Sequence, residues 1–382
     1  MLRRATFGAT KQQIDQFTGL DFATAVARVL QPVAAQPPAP LEPVSGFAMV
    51  DPPNGRFRLQ APNSEDFPAE EYLLAWWVSL MVRSELTIAE KMVFFLHTHF
   101  TNMRSRMSDI TAVYYQLAFF RHYALGNFKE LAAKMCTDND MLKFLDGRLN
   151  EKGRPQENFA RELFELYTVG KGPQQGPDNY TTFTEDDVRE AARVLSGWAD
   201  DTDFENLDAD TGFAIGKLKT DNSGLLARRH DAGEKVFSAA FNNQTIAPAT
   251  VDGDLATVEA ATDELRQLID MIFASEATAL HICRRLYRFF VYYKIDEEIE
   301  RDIIAPMAQT FRDSGYELQP VLQQLFRSQH FFDLDDAEVR NNNTGAIIKS
   351  PLELSVGMLR FFEVAGPDPQ AEPYSQRTAR RL

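Results

Sequence analysis

Apolar residues recur every three to four positions along most of this chain, which is the period of helices that bury one face. The pattern is almost unbroken from residue 69 to residue 170, and it resumes from residue 260 to residue 364. Thr10, Asp21 and Thr184 stand just before such segments, at the position that helix N-caps prefer. We therefore predict helices over residues 11–17, 22–30, 69–83, 87–100, 108–125, 128–136, 158–169, 185–198, 260–274, 276–293, 298–314, 318–327 and 351–364.

Three stretches interrupt the helical pattern. Residues 32–68 are proline-rich at first and irregular afterwards, residues 200–255 mix Asp, Gly, Asn and Thr with single aromatic residues, and residues 366–382 lack apolar periodicity. We expect a mainly α fold, a multi-helical, bundle-like array with a long irregular excursion at 200–255 that has room for two short strands. The predicted parts are an N-terminal helical pair (1–31), a connector (32–68), a main helical domain (69–365) and a mobile tail.

Composition narrows the class of protein. The 29 phenylalanines predict a core dominated by aromatic side chains. The 40 basic and 55 acidic residues give a net charge of −15, which excludes a broad nucleic-acid surface. Cys136 and Cys283 lie in apolar helical segments, so we expect buried thiols and no disulfide framework. No apolar run is long enough for a transmembrane helix, and none follows the two arginines near residue 1, so no signal peptide is predicted within the chain.

The segment 155–170, PQENFARELFELYTVG, gathers its polar side chains on one side of the predicted helix. Ion pairs at i, i+4 spacing stabilise even a solvated helix by about 0.2–0.5 kcal/mol each, and periodicity alone favours that structural interpretation. Arginines of the predicted helix 276–293 are candidate partners for the acidic residues Glu162 and Glu165. The predicted polar network comprises Glu157, Asn158, Arg161, Arg284, Arg285 and Arg288.

The segment FFLHTHF contributes two histidines. His99 falls within an apolar stripe and needs a hydrogen-bond partner, whereas His97 lies on the opposite side of the helix. Helical geometry separates the two rings by about 200°, so they share a metal ion only if the helix ends before His97. The structural interpretation is one buried and one partly exposed histidine. The alternative is a divalent metal held by His97 or His99 together with Glu162 and Glu165 across a helix–helix contact.

A third candidate lies in the irregular excursion, where His230 and Asp231 precede a glycine-containing turn. The aspartate either orients the imidazole ring in a structural role, or the two residues serve as a catalytic acid and base. The chain has no Walker loop, no G-x-G-x-x-G and no G-x-S-x-G segment. Phosphotransfer by a P-loop, dinucleotide binding and α/β-hydrolase chemistry therefore have no sequence support.

Eight segments together carry a family resemblance. In chain order they are LRRATFGAT, FFLHTHF, HYALGNFKEL, QENFARELFELYTVG, YTTFTEDDVREAARVLSGW, HDAGEKVF, ICRRLYRFFV and IKSPLELSVGMLR. Over about residues 2–362 the chain resembles the bacterial family called domain of unknown function 1800. Two positions depart from the family's pattern, because Leu96 replaces the tryptophan of a W-H-x-H-F segment and Gln156 replaces the first asparagine of N-E-N-F-A-R-E-L.

The resemblance implies a largely helical protein that is usually exported, so a periplasmic or extracellular location is expected. It also implies a partner, a protein of the domain of unknown function 1501 family, whose gene often lies beside that of a family member. That neighbour resembles the alkaline-phosphatase and sulfatase group. No established catalytic activity comes with the resemblance.

Three functional hypotheses follow. The first is an accessory or binding component of the cell envelope, in which arginines neutralise the acidic residues of segment 155–170. The second is a metal-dependent, hydrolase-like enzyme in which the metal activates water and His230 or Asp231 transfers protons. The third is a polymer-binding module that uses the side chains of Trp76, Trp77 and Trp198, although their positions on apolar helix faces favour core roles.

Overall fold

The computed structural model describes residues 1–34, 36–40, 69–103, 106, 109–251, 253–332 and 347–364. Within these ranges the fold is mainly α-helical with short two-stranded sheets, which confirms the predicted class. The predicted tail and most of the predicted connector lie outside the described residues. No helix in the described ranges is long and apolar enough to cross a membrane.

The helices follow the predicted order. They are α1 (Leu2–Ala5), α2 (Lys11–Thr18), α3 (Phe22–Val29), α4 (Ala69–Arg83), α5 (Ala89–His99), α6 (Ile110–His122), α7 (Phe128–Cys136), α8 (Asn139–Phe144), α9 (Asn158–Glu162), α10 (Glu185–Val194), α11 (Val258–Ala274), α12 (Glu276–Phe290), α13 (Glu297–Ile299), α14 (Ala305–Asp313), α15 (Leu318–Arg327), α16 (Gln329–Phe332) and α17 (Pro351–Phe361). Single 3₁₀ turns span Gly147–Leu149 and Ala239–Phe241, and π-helical turns span Leu163–Tyr167 and Glu300–Ile304.

The predicted N-caps are confirmed. The Thr10 hydroxyl accepts a hydrogen bond from the Gln13 amide, and the Gln13 side chain accepts one from the Thr10 amide in return. Asp21 caps α3, and Thr184 caps α10 in the same reciprocal way. The predicted helix 185–198 was too long, because α10 ends at Val194 and the chain turns into a strand.

The strands are short and antiparallel. β1 (Gln174–Gly176) pairs with β2 (Asn179–Tyr180), and β3 (Trp198–Ala199) pairs with β4 (Lys217–Leu218). β5 (Leu226–Ala227) pairs with β8 (Ala256–Thr257), and β6 (Lys235–Val236) pairs with β7 (Thr245–Ile246). The excursion at 200–255 therefore contributes β4 to β7 instead of the two strands expected.

The chain divides into two units, each assembled from separate stretches. Unit 1 comprises Met1–Thr98, Phe120–Gly126 and Cys283–Leu382. Unit 2 comprises His99–Phe119 and Asn127–Ile282. The boundaries predicted from the sequence at residues 31, 68 and 365 stay predictions, and the two units are described separately below.

Each unit has an aromatic core, as the phenylalanine content predicts. In unit 1 the fully buried Phe290 packs edge-on against Phe326, with ring centroids 5.5 Å apart. In unit 2 the buried ring of Phe100 lies 5.8 Å from Phe128 and 5.1 Å from Tyr167. Aromatic burial of this kind provides a large share of the apolar area that stabilises each unit. Cys136 and Cys283 are free and buried, as predicted.

Candidate functional site

The helix of segment 155–170 is shorter than predicted. Regular α-helix α9 ends at Glu162, and the next five residues, Leu163–Tyr167, form a π-helical turn. Gly170 then reverses the chain at φ +71°. π-turns inside helices are frequent at functional sites, and they alter which carbonyl groups are available at the helix end.

In unit 2 the last carbonyls of the π-turn are bound by two histidines. His99 Nε2 lies 3.0 Å from the carbonyl oxygen of Tyr167, and His281 Nε2 lies 3.1 Å from that of Leu166. A carbonyl oxygen only accepts, so each Nε2 atom carries the hydrogen and donates it. His99 is 2% exposed, which matches the buried, hydrogen-bonded role that its apolar stripe predicts.

Among the acidic side chains of segment 155–170 that the structure describes, Glu162 is the one with a buried oxygen atom that lacks a hydrogen-bond partner. Its Oε2 atom is buried and has no hydrogen-bond partner among the described residues. Burial, and then the negative charge of Glu165, raise the pKa of Glu162. Burial, and then the negative charge of Glu162, raise the pKa of Tyr167. Glu165 itself forms an ion pair with Lys171.

His97 belongs to unit 1 and is partly exposed. Its ring packs edge-on against Trp77 at 5.0 Å and against Phe120 at 6.5 Å. Burial lowers the pKa of His97 to about 4, so the ring is neutral at physiological pH. In the part of the chain that the structure describes, no three His, Cys, Asp or Glu side chains are arranged to hold a metal ion. The predicted ligand set of His97, His99, Glu162 and Glu165 thus has no geometric counterpart there.

The predicted arginine network has other partners. Arg161 pairs with Glu185 at 2.8 Å and with Glu157 at 3.4 Å. Arg284 holds both carboxylate oxygens of Glu300, at 3.0 and 3.1 Å from its Nε atom. Three further side chains of this set bond main-chain carbonyls: Arg285 to Thr98, Arg288 to Tyr293, and Asn158 to Leu145.

His230 lies at the centre of a buried polar cluster in unit 2. Its Nδ1 atom is 3.1 Å from the Ser196 carbonyl oxygen, and its Nε2 atom is 3.1 Å from Glu264 Oε2, which also binds Lys235. All three charged or polar side chains are at most 1% exposed. The carboxylate that orients the ring is therefore Glu264, and not the neighbouring Asp231 as expected.

Asp231 is engaged elsewhere in the same loop. It forms an ion pair with Arg193, whose Nε atom lies 2.9 Å away. Burial alone would raise the pKa of Asp231, but the bonds from Arg193 and from the Gly233 amide lower it. The arrangement holds the loop in place, because both residues of the predicted acid–base pair already have internal partners. A catalytic role for His230 and Asp231 stays a prediction.

A buried carboxyl pair, which was not singled out in the sequence, lies at the start of α8 in unit 2. Asp138 Oδ1 accepts hydrogen bonds from the amides of Asp140 and Met141, at 3.1 and 2.9 Å, and from Gln116 Nε2 at 2.9 Å. Asp138 is fully buried, and its Oδ2 atom has no hydrogen-bond partner among the described residues. Burial and the neighbouring Asp140 raise the pKa of Asp138 to about 7.

The three tryptophans of the polymer-binding hypothesis are core residues. Trp76, Trp77 and Trp198 are at most 6% exposed. Trp76 also donates its indole hydrogen to the Pro38 carbonyl oxygen at 2.9 Å. Their side chains offer no exposed aromatic platform, so the third hypothesis is wrong for these residues.

Unit 1 contains an open apolar groove of about 1020 Å³. One wall is α17, where Leu354, Met358 and Phe361 follow i, i+4, i+7 spacing and are 54%, 51% and 57% exposed. The remaining wall comes from α1 to α3 and from α16, with the apolar residues Leu2, Ile14, Phe17, Leu20, Phe22, Ala25 and Phe332. Large apolar side chains that are this exposed and that form one contiguous groove usually indicate an interaction site.

The opposite side of α17 is fixed by two buried charged residues. Arg360 donates to the carbonyl oxygens of Gly8, Val82 and Ser84, at 2.9, 2.7 and 2.7 Å, so it satisfies the free carbonyls at the end of α4. Glu353 forms an ion pair with Lys91 of α5. The exposed stripe of α17 therefore belongs to a rigidly held helix.

The comparison with protein families agrees with the helical pattern and with the sequence segments. A family model described as "Protein of unknown function (DUF1800)" matches residues 1–381. The chain belongs to the DUF1800 family. No curated protein and no solved structure matches this DUF1800 chain.

The groove of the DUF1800 chain was not predicted from the sequence, although the apolar residues of segment 351–364 give a signal for it. Residues 351–364 were predicted as a helix, but both of its sides carry large apolar side chains near the C-terminal end. The buried side is defined by Val356 and by two charged residues, Glu353 and Arg360. Charged positions normally indicate the exposed side of a helix, so the two charged residues on the buried side conceal this arrangement in the sequence.

Proposed function

We propose that this protein is an accessory binding component of the bacterial cell envelope and that the apolar groove of unit 1 is its binding surface. The observation that carries this proposal is the exposed stripe of Leu354, Met358 and Phe361 on a helix that buried ion pairs and hydrogen bonds hold in place. Full burial of one such side chain contributes about 1.5–3 kcal/mol, so covering three half-exposed ones recovers on the order of 2–4 kcal/mol.

A neutral, polarity-sensitive dye tests the groove. N-phenyl-1-naphthylamine should gain fluorescence on binding to the purified protein, and Leu354→Asp should weaken the binding at least ten-fold because it places a charge in the apolar wall. Leu149→Asp in unit 2 is the matched control, since Leu149 is also 54% exposed and does not line the groove. Equal dye binding by both variants and the unchanged protein would reject the groove as the binding surface.

The location and the protein partner are proposed on the family resemblance alone. The proposal places the protein in the periplasm or outside the cell, beside a protein of the domain of unknown function 1501 family. Fractionation of cells that produce the native gene product tests the first part. Cross-linking of the co-produced pair, followed by mass spectrometry, tests the second, and recovery of only non-specific cross-links would count against the partnership.

A metal-dependent, hydrolase-like enzyme is the second candidate, because Glu162 presents a buried Oε2 atom with no hydrogen-bond partner among the described residues. Glu162 is the last residue of α9, directly before the π-turn whose Tyr167 carbonyl binds His99. Elemental analysis of the protein and of Glu162→Gln separates the two candidates. Stoichiometric metal that disappears in the variant would support the enzyme, and a wild-type protein free of metal after refolding with Zn²⁺ or Mn²⁺ would exclude it.

A further inference from the structure

Two cations at one end of the apolar groove of unit 1 form no ion pair within the part of the chain that the structure describes. Arg3 and Lys349 both line the groove. Neither forms an ion pair or a side-chain hydrogen bond with any residue in the described ranges. An anionic group placed beside these two side chains would be attracted by both charges.

The nearest acidic group does not neutralise this pair. Glu353 lies close enough to act on Lys349, but its carboxylate already binds the buried Lys91. Burial lowers the pKa of Lys349, and the positive charge of Arg3 lowers it further against the opposing effect of Glu353. The end of the groove therefore carries excess positive charge in a chain whose net charge is −15.

The charge and the apolar wall are arranged in sequence along α17. Lys349 directly precedes the N-cap Ser350, and the stripe from Leu354 to Phe361 then runs for about 10 Å along the helix axis. The N-terminus of this eleven-residue helix adds its partial positive charge at the same end. A ligand that complements this surface is negatively charged at one end and apolar along the rest.

We propose that the groove binds a free, single-chain anionic amphiphile, with its carboxylate or phosphate headgroup between Arg3 and Lys349 and its acyl chain along Leu354, Met358 and Phe361. This inference rests on the proposed binding function and names the ligand class for it. The segments next to the groove in sequence, DLDDAEVRNNNTGA at 333–346 and AGPDPQAEPYSQRTARRL at 365–382, hold few large apolar residues. Their composition does not match the apolar wall.

Displacement of bound N-phenyl-1-naphthylamine tests the ligand class. Below their micellar concentrations, dodecanoate and dodecyl phosphate should displace the dye at concentrations at least ten-fold lower than dodecyltrimethylammonium or dodecyl maltoside, which share the chain length. The double variant Arg3→Gln/Lys349→Gln should remove this preference and leave binding of the neutral dye unchanged. The control Lys143→Gln/Arg154→Gln removes the same charge from unit 2, at side chains that form no ion pair with other described residues, and should keep the preference.

The outcomes separate the two levels of the proposal. Absence of dye binding by the unchanged protein contradicts the binding function itself. Dye binding with equal displacement by all four amphiphiles, or an unaltered preference in the double variant, contradicts the anionic headgroup but leaves the groove intact. Flotation of the protein with phosphatidylglycerol vesicles, if free dodecanoate does not prevent it, would show a site for a bilayer surface. Displacement by an acidic amphipathic helical peptide, but not by dodecanoate, would show a protein partner, and either result overturns the proposal.

Discussion

Replacing Asp138 with asparagine removes a buried ionisable group without removing the cap of α8. Asparagine is as good an N-cap as aspartate, and its carbonyl oxygen can still accept from the amides of Asp140 and Met141. The variant loses only the carboxylate charge, whose Oδ2 atom has no hydrogen-bond partner among the described residues. Asp138→Asn therefore isolates the free energy of burying that charge.

The sign follows from the raised pKa. Asp138 titrates at about 7 in the folded protein and near 3.8 when unperturbed, so the folded state binds the proton more tightly than the unfolded state. Wild-type stability should fall as the pH rises from about 4 to about 7 and should stay level above that. At 1.36 kcal/mol per pKa unit, the wild type loses about 4 kcal/mol of its free energy of unfolding over this pH range. Asp138→Asn should not show this loss, because asparagine does not ionise.

Urea unfolding at pH 4.5, 6, 7 and 8, followed by circular dichroism, measures this effect. We expect the variant's advantage in free energy of unfolding to be about 1 kcal/mol at pH 4.5 and to grow by at least about 2 kcal/mol between pH 4.5 and pH 8. Asp21→Asn is the control, because Asp21 also caps a helix but has a lowered pKa and is exposed, so it has no effect between pH 6 and 8. A pH-independent difference for Asp138→Asn would refute a buried titrating carboxyl group.

Two further substitutions test how the fold is held. Arg360→Met should lower the free energy of unfolding by about 2–4 kcal/mol, since it leaves the carbonyls at the end of α4 without a hydrogen-bond donor. Urea unfolding measures this loss. Arg301→Met is the control, because Arg301 is exposed and its replacement should lower the free energy of unfolding by less than about 0.5 kcal/mol. Gly197→Ala should lower the melting temperature by several degrees, because Gly197 has φ +86° and a Cβ atom there would lie 2.8 Å from the His230 amide nitrogen. Gly212→Ala, also at positive φ but with open space around it, separates backbone strain from this clash, and equal losses in both would contradict the close approach.

Local signals in the sequence were sufficient for most helices. The caps at Thr10, Asp21 and Thr184 use side chains within three residues, and apolar periodicity follows from the burial of one side of each helix. Segments that lack such signals were predicted less well. The π-turn at Leu163–Tyr167 depends on histidines more than 60 residues away from it in sequence, so helical periodicity continues through it without a break.

Partners of buried polar residues could not be read from the sequence for the same reason. His230 was expected to use the adjacent Asp231, but its partner is Glu264, 34 residues further along the chain. No sequence signal marked Arg360 as buried, yet it lies against carbonyl groups about 280 residues earlier in the chain. Such pairs form only when elements distant in sequence pack together. They are present in the fold because burying either charge without its partner would cost free energy.

These internal pairings change which features of the molecule suggest a function. His230 and Asp231 were candidates for catalysis, and the arginines of α12 were candidates for a polar network with segment 155–170. The structure gives each of these side chains a partner elsewhere in the fold. The groove shows the opposite situation, with apolar side chains that remain exposed and two cations that form no ion pair with the described residues. A stable fold has no need of either feature, since burial of the stripe and neutralisation of Arg3 and Lys349 would both lower the free energy. The groove is therefore where an external ligand contributes most, and its test takes priority over that of the polar segment 155–170.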